Sequence, residues 1–261
     1  MLKLLVVGIG AGNPEHITVQ AINALNRADV LFVPLKGESK ADLAELRREI
    51  IARYVTAPTA RIVSFELPVR DAANPSYTEG VGDWHDAIAR LYVRLIADEL
   101  GAGGTGAFLV WGDPSLYDST LRILERVAAL GTAFTLEVVP GISSLHALTA
   151  AYAMTLNRVG EPVLLTTGRR LSEAPPDGDA AVLLDGRLAF NSVDGEAYDI
   201  FWGAYLGTPD EVLIAGRLSE VAAEIERVRA AARARHGWIM DIYLLRRRDD
   251  ATSDDNPGAA E

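Results

Sequence analysis

Apolar positions along this chain follow a strand rhythm and a helix rhythm in alternation. Leu2–Val7 has apolar residues at five of six positions, the pattern of a parallel strand covered on both faces. Glycines follow at 8, 10 and 12. Then Val19, Ile22 and Leu25 recur at helical spacing, and Val30–Val33 returns to a strand. Residues 40–54 place Leu43, Leu46, Ile50 and Ile51 on one side of a helix, and Arg61–Leu67 predicts a third strand. Residues 68–83, with two prolines and two glycines, read as a polar loop. A helix over 84–100 lines Trp84, Ile88, Leu91 and Leu95 along one face. Phe108–Trp111 predicts a strand ending in Gly-Asp-Pro, followed by a helix at 118–130 and the strand Thr135–Val139. This alternation predicts an open parallel sheet with helices on both faces.

The second half has a different texture. Short strands are predicted at 162–167, 180–185, 198–205 and 211–215. A helix follows over 219–235, with Ser219 as candidate N-cap and Gly237 as its stop. Trp238–Leu245 predicts a last strand, and the polar stretch 249–261 is expected to be disordered. The expected division is an N-terminal α/β domain over 1–145, a C-terminal α/β domain over 146–248, and the tail.

Composition narrows the function classes. With 49% hydrophobic residues the chain can bury a substantial core. A net charge of −11 argues against a general nucleic-acid binder, although a locally basic pocket can still hold an anion. The absence of cysteine excludes disulfides, thiol catalysis and thiolate metal sites. His16, His85, His146 and His236 are scattered without metal-ligand spacing, so no metal is expected. The start of the chain reads as a buried strand rather than a signal peptide. No apolar run approaches the roughly 18 residues that span a bilayer, so a soluble cytoplasmic protein is expected.

Three loops carry candidate chemistry. Gly8-Ile9-Gly10-Ala11-Gly12 closes the first strand with a tight turn. A dinucleotide fingerprint needs G-x-G-x-x-G, but position 13 is Asn, and the second strand ends Phe32-Val33-Pro34-Leu35 without the ribose-binding carboxylate. Gly112-Asp113-Pro114 ends the fourth strand, where open α/β sheets bind ligands; Asp-Pro is also ordinary turn chemistry. Pro140-Gly141-Ile142-Ser143-Ser144 ends the fifth strand, and its serines can cap a helix or contact a ligand.

In that order and spacing, the three loops resemble those of the tetrapyrrole (corrin/porphyrin) methylase family, which shows a glycine-rich first turn, a Gly-Asp-Pro-x-x-Tyr motif (here Gly112 to Tyr117) and a Pro-Gly-Ile-Ser/Thr motif. The resemblance covers residues 2 to about 248. It implies two α/β domains, the first with a parallel and the second with a mixed sheet, and S-adenosylmethionine in the cleft between them. It also implies a homodimer. Phe201–Gly207, Ala215–Leu218 and His236–Arg247 are similar to the branch of the family that acts on precorrin-5, removing its C-1 acetyl group as acetate and methylating that carbon to give precorrin-6A. Trp238–Leu245 is equally readable as a plain core strand. A relative methylating another ring carbon, an NAD(P) oxidoreductase and a non-catalytic binder of anionic tetrapyrroles are the competing readings.

Carried over motif by motif, the resemblance implies cofactor contacts at Ala11, at Trp111, Gly112, Asp113, Leu116 and Tyr117, at Ser143 and Ser144, and at Asp185, Gly186 and Leu206. The chain departs from relatives that carry Pro at position 11 or Met at 185. A polycarboxylate substrate suits arginine, and Arg70, Arg169, Arg170 and Arg187 fall at predicted strand ends or loops. Loss of the acetyl group calls for a base to activate water. The loop after the third strand carries Tyr77, Glu79, Asp83 and His85. His85, expected at a helix start where the macrodipole disfavours imidazolium, is the candidate base.

Overall fold

A computed structural model describes residues 1–35, 41–69 and 77–248. Arg70 and the expected tail at 249–261 lie outside the described residues, as do the side chains of Tyr77 and Glu79. The chain separates into two compact units, Met1–Ala147 with Gly207–Pro209, and Leu148–Leu206 with the residues from Asp210 onward.

The first unit is built on five strands: β1 (Lys3–Gly8), β2 (Val30–Leu35), β3 (Arg61–Glu66), β4 (Thr105–Val110) and β5 (Thr135–Val139). All pair in parallel, in the order β3-β2-β4-β1-β5. Side chains alternate between faces along a strand, so the apolar run of β1 feeds two cores. Leu2, Leu4 and Val6 join Val30, Phe32, Phe108 and Val110 on one face. Leu5, Val7 and Ile9 join Leu31, Val33, Ala107, Leu109 and Val139 on the other. The first face is covered by α3 (Tyr77–Leu100) and α4 (Thr120–Ala129) through Ile88, Tyr92, Ile96, Ile123, Leu124 and Val127. Here Phe32, Phe108 and Tyr92 stack with ring centroids 4.8 and 4.6 Å apart. The second face is covered by α1 (Val19–Leu25) and α2 (Ala41–Tyr54) through Ala21, Leu25, Ile50 and Ile51. β1 thus lies between β4 and β5, and the loops leaving the carboxyl ends of these three strands are brought side by side.

The second unit begins in α5 (Ser144–Ala151), whose first residues belong to the first unit. It contains β6 (Val163–Thr167), α6 (Gly168–Glu173), β7 (Asp179–Leu183), β8 (Tyr198–Ala204), β9 (Val212–Arg217), α7 (Leu218–His236) and β10 (Asp241–Arg247). Its sheet runs β6-β7-β10-β8-β9, with only β6 and β7 parallel. Trp202, Tyr243, Phe190 and Ile225 centre its core. The parallel and mixed sheets are those of the expected fold class.

Several boundaries differ from the sequence reading. α3 starts at Tyr77, so residues 77–83 are helix rather than loop. Gly80 and Gly82 disguise that turn, since glycine costs a helix about 1 kcal/mol. Tertiary contacts outweigh the cost: Arg126 of α4 donates to Gly82 O at 2.9 Å and pairs with Asp86. α7 starts one residue early, with Arg217 at the N-cap and no side-chain cap bond. Ser219 instead donates its backbone N–H to Gly195 O at 3.0 Å. β10 starts at Asp241, because Trp238 and Met240 use their carbonyls to hold Tyr205. α6 is too short for periodicity to show it.

Candidate active site

The three glycine loops meet at the carboxyl edge of the first sheet. Register places Gly8 beside Val110, and Val7 beside Val139, so Gly8, Gly112 and Gly141 leave their strands together. A Cβ on Gly8 would lie 2.6 Å from Gly141 N and 2.8 Å from Gly112 O, and one on Gly141 would overlap Gly112 O. Only glycine permits this approach. Gly10 (φ +89°) and Gly112 (φ +68°) form an isolated bridge, with Gly112 N donating to Gly10 O at 2.8 Å. Gly112 differs from its two partners. Its Cβ position would touch only Ser143 Cα, at 3.7 Å, so space there is left for a ligand.

Asp113 fixes the loop. One carboxylate oxygen accepts from the Ser115 backbone and hydroxyl, and the other from Gly141 N at 2.8 Å. Burial works against its ionisation, but these hydrogen bonds and nearby His146 outweigh it and hold the carboxyl below its usual range. With both oxygens engaged, Asp113 positions the loop. Trp111 is half-buried, and its Nε1 has no hydrogen-bond partner. Leu116 is half-buried, and Tyr117 is exposed in the left-handed region (φ +52°). Ala11 is buried. Ser143 is buried and shares a 2.9 Å hydrogen bond with His146 Nδ1, while Ser144 opens α5. A glycine-walled crevice with an unpartnered indole N–H and serines at a helix start fits an adenosyl cofactor.

The second-unit candidates sit in a tightly bonded loop. The Asp185 carboxylate accepts from Arg187 N (2.9 Å), Ala189 N (2.7 Å) and Tyr243 Oη (2.8 Å). Its carbonyl accepts from Arg229 Nη2 at 2.6 Å. Arg229 is itself paired with buried Asp241 at 2.8 Å. The side chain of Asp185 therefore shapes the loop, on which Gly186 is exposed; Leu206 is buried. Arg169, Arg170 and Arg187 are all exposed, and Arg170 pairs with Glu173 at 2.8 Å.

His85 is not at a helix start. It lies in the third turn of α3, buried, with Nε2 lacking a partner. Its pKa is lowered, first by burial and then by Arg126 and Arg122 of α4, against Asp86 and Asp118. The imidazole is kept neutral, but by desolvation rather than by the helix terminus. Asp83 is exposed.

A cavity of about 80 Å³ lies in the first unit, lined by Arg47, Asp118, Ser119 and Thr120 among apolar side chains that include Phe32, Trp84 and Tyr92. Arg47 is buried on α2 and donates through Nε to Leu109 O at 3.2 Å. Burial brings its pKa down to about 10, against the pull of Tyr92 and Asp118, so it stays charged at neutral pH. The signal was present in its spacing: Arg47 is three and four residues before Ile50 and Ile51, on the apolar face. Among the described residues no cluster of His, Asp or Glu can hold a metal ion, and no helix is long and apolar enough to cross a membrane.

Comparison with known proteins agrees with this geometry. The model of the tetrapyrrole (corrin/porphyrin) methylases matches residues 3–222. The chain is 58% identical to a precorrin-6A synthase [deacetylating] from a Sinorhizobium species, over 96% of this chain and 97% of that protein. It is 31% identical to a precorrin-2 C(20)-methyltransferase from the same genus, over 70% and 72% of the two chains. Among solved structures, the cobalamin synthesis related protein CobF of Corynebacterium diphtheriae superposes with a TM-score of 0.83 and 39% identity, covering 95% of this chain and all of that one. The uroporphyrin-III C-methyltransferase of Thermus thermophilus, complexed with S-adenyl homocysteine, shares the fold at a TM-score of 0.57 and 18% identity, over 93% and 96%.

Proposed function

Because the chain belongs to the tetrapyrrole (corrin/porphyrin) methylase family, we propose that it is an S-adenosylmethionine-dependent methyltransferase that converts precorrin-5 to precorrin-6A. It methylates C-1 of the macrocycle and releases the C-1 acetyl group as acetate. The observation that carries the reading is its similarity, over nearly its whole length, to the deacetylating enzyme of Sinorhizobium. The convergence of the three glycine loops supports it.

When bound, S-adenosylmethionine supplies a methyl group on a sulfonium leaving group. The chain's part is to align that group and exclude water. Gly8 and Gly141 let the strand ends close up, and Gly112 leaves room where a side chain would intrude. Asp113 ties the β4 loop to the β5 loop, so that both present one rigid edge. Ser143 and the Trp111 indole are among the side-chain hydrogen-bonding groups on these loops. The reading includes a cytoplasmic location and a homodimer, the latter checked by light scattering of the purified chain.

Calorimetric titration tests the class. S-adenosylhomocysteine is expected to bind, while NAD and NADP are not. Binding of either dinucleotide with none of S-adenosylhomocysteine at millimolar ligand would replace the methyltransferase reading with an oxidoreductase one.

A further inference from the structure

The cavity that follows the Gly-Asp-Pro loop brings an acid and a cation together among mostly apolar side chains. Arg47 enters from α2, and Asp118 from the loop between β4 and α4. Asp118 Oδ1 accepts from Thr120 N at 2.7 Å, and its other oxygen has no hydrogen-bond partner among the described residues. Ser119 precedes α4, but its hydroxyl makes no cap bond. A water-sized group needs roughly 10–15 Å³ of such space, so about 80 Å³ holds a two-carbon acyl group with a water beside it. Among the described residues that line it, Arg47 and Asp118 are the charged side chains. That favours a neutral acyl group over the carboxylate arms of a tetrapyrrole, which Asp118 would repel.

We infer that this cavity is the deacetylation site, with Asp118 as the general base for water and Arg47 as the stabiliser of the oxyanion. The inference rests on the proposed function, and it supplies the step that the cofactor loops leave without a catalyst. The water oxygen adds to the acetyl carbonyl carbon as its proton passes to Asp118. Negative charge develops on the former carbonyl oxygen, where the Arg47 guanidinium stabilises it. The bond between that carbon and C-1 of the macrocycle then breaks, and the acyl group departs as acetic acid, which loses its remaining proton to solvent as acetate. The electron pair of that bond passes into the conjugated macrocycle and is the pair that C-1 offers to the methyl group. Phe32 and Trp84 are among the apolar side chains that line it.

Two measurements on the full-length protein test this. With precorrin-5 and S-adenosylmethionine in ¹⁸O-labelled water, the parent should release acetate carrying one ¹⁸O; unlabelled acetate would overturn the water-addition step without any variant. Asp118→Asn keeps the acceptor for Thr120 N. It should slow acetate release by about a hundredfold or more, the usual scale for a general base, with S-adenosylhomocysteine affinity unchanged. Arg47→Lys, which retains the charge, should keep more of the acetate rate than Arg47→Met. A parental acetate rate in folded Asp118→Asn removes Asp118 as the base. If the parent itself releases no acetate while binding S-adenosylhomocysteine, the proposed function fails first, and this inference falls with it.

Discussion

At the scale of single residues, the crevice distinguishes glycines that look alike in sequence. Gly141→Ala drives a Cβ into backbone atoms of Gly112 and Gly8 that cannot swing away. Its cost should reach or pass about 3 kcal/mol, the upper end of ordinary overpacking. Gly112→Ala meets no such wall and should cost about 1–2 kcal/mol, from its left-handed backbone alone. Urea denaturation compares the two, and equal losses would contradict the packing. Gly112→Val should in addition weaken S-adenosylhomocysteine binding in a protein that still folds. His85 makes a pH prediction. Its folded pKa lies below that of the unfolded chain, so the buried neutral ring contributes stability above the unfolded value, near 6.5. That contribution is lost as pH falls towards the folded value. Stability measured from pH 7.5 to 5 should fall more steeply in the parent than in His85→Gln; identical slopes would place the ring in solvent.

At the scale of elements, α7 is held to the second sheet by an ion pair as well as by apolar contacts. Arg229 reaches Asp241 on β10 and the carbonyl of Asp185. Burial pushes the Asp241 carboxyl up, while Arg229 and Trp202 act to hold it ionised. Arg229→Met strands that carboxyl and should cost about 3–5 kcal/mol. A loss below 1 kcal/mol in thermal or urea unfolding would mean that the pair is solvated. The elements also show where sequence reading succeeds. β1, β4 and β5 were legible because continuous apolar runs ended in glycine and proline loops, and the strand register brings these loops together. The start of α3 was hidden because Gly80 and Gly82 break the helical pattern, and the contact at Gly82 comes from Arg126 of α4, 44 residues away by sequence. Arg47 and Asp118 belong to separate elements and carry no shared motif; only the sheet order brings them to one cavity. Arg169, Arg170 and Arg187, the anion-binding candidates of the sequence, are exposed, and Arg47, on the apolar face of α2, lines the cavity.

At the scale of the whole molecule, the proposed reaction asks two jobs of one protein: to hold a methyl donor at the edge of the first sheet, and to remove an acyl group from the same ring carbon that is methylated. Cofactor binding should stabilise the fold by mass action, by about 2.7 kcal/mol at a hundred times the dissociation constant. A thermal shift with S-adenosylhomocysteine reads this directly, and a flat response would count against the crevice. The most direct test of the central claim is mass spectrometry of the pigment formed from precorrin-5 and S-adenosylmethionine, with acetate assayed in the same reaction. The expected pigment has lost the acetyl group and gained one methyl, with one acetate and one S-adenosylhomocysteine formed per turnover. A pigment that gains a methyl group and keeps its acetyl would contradict it.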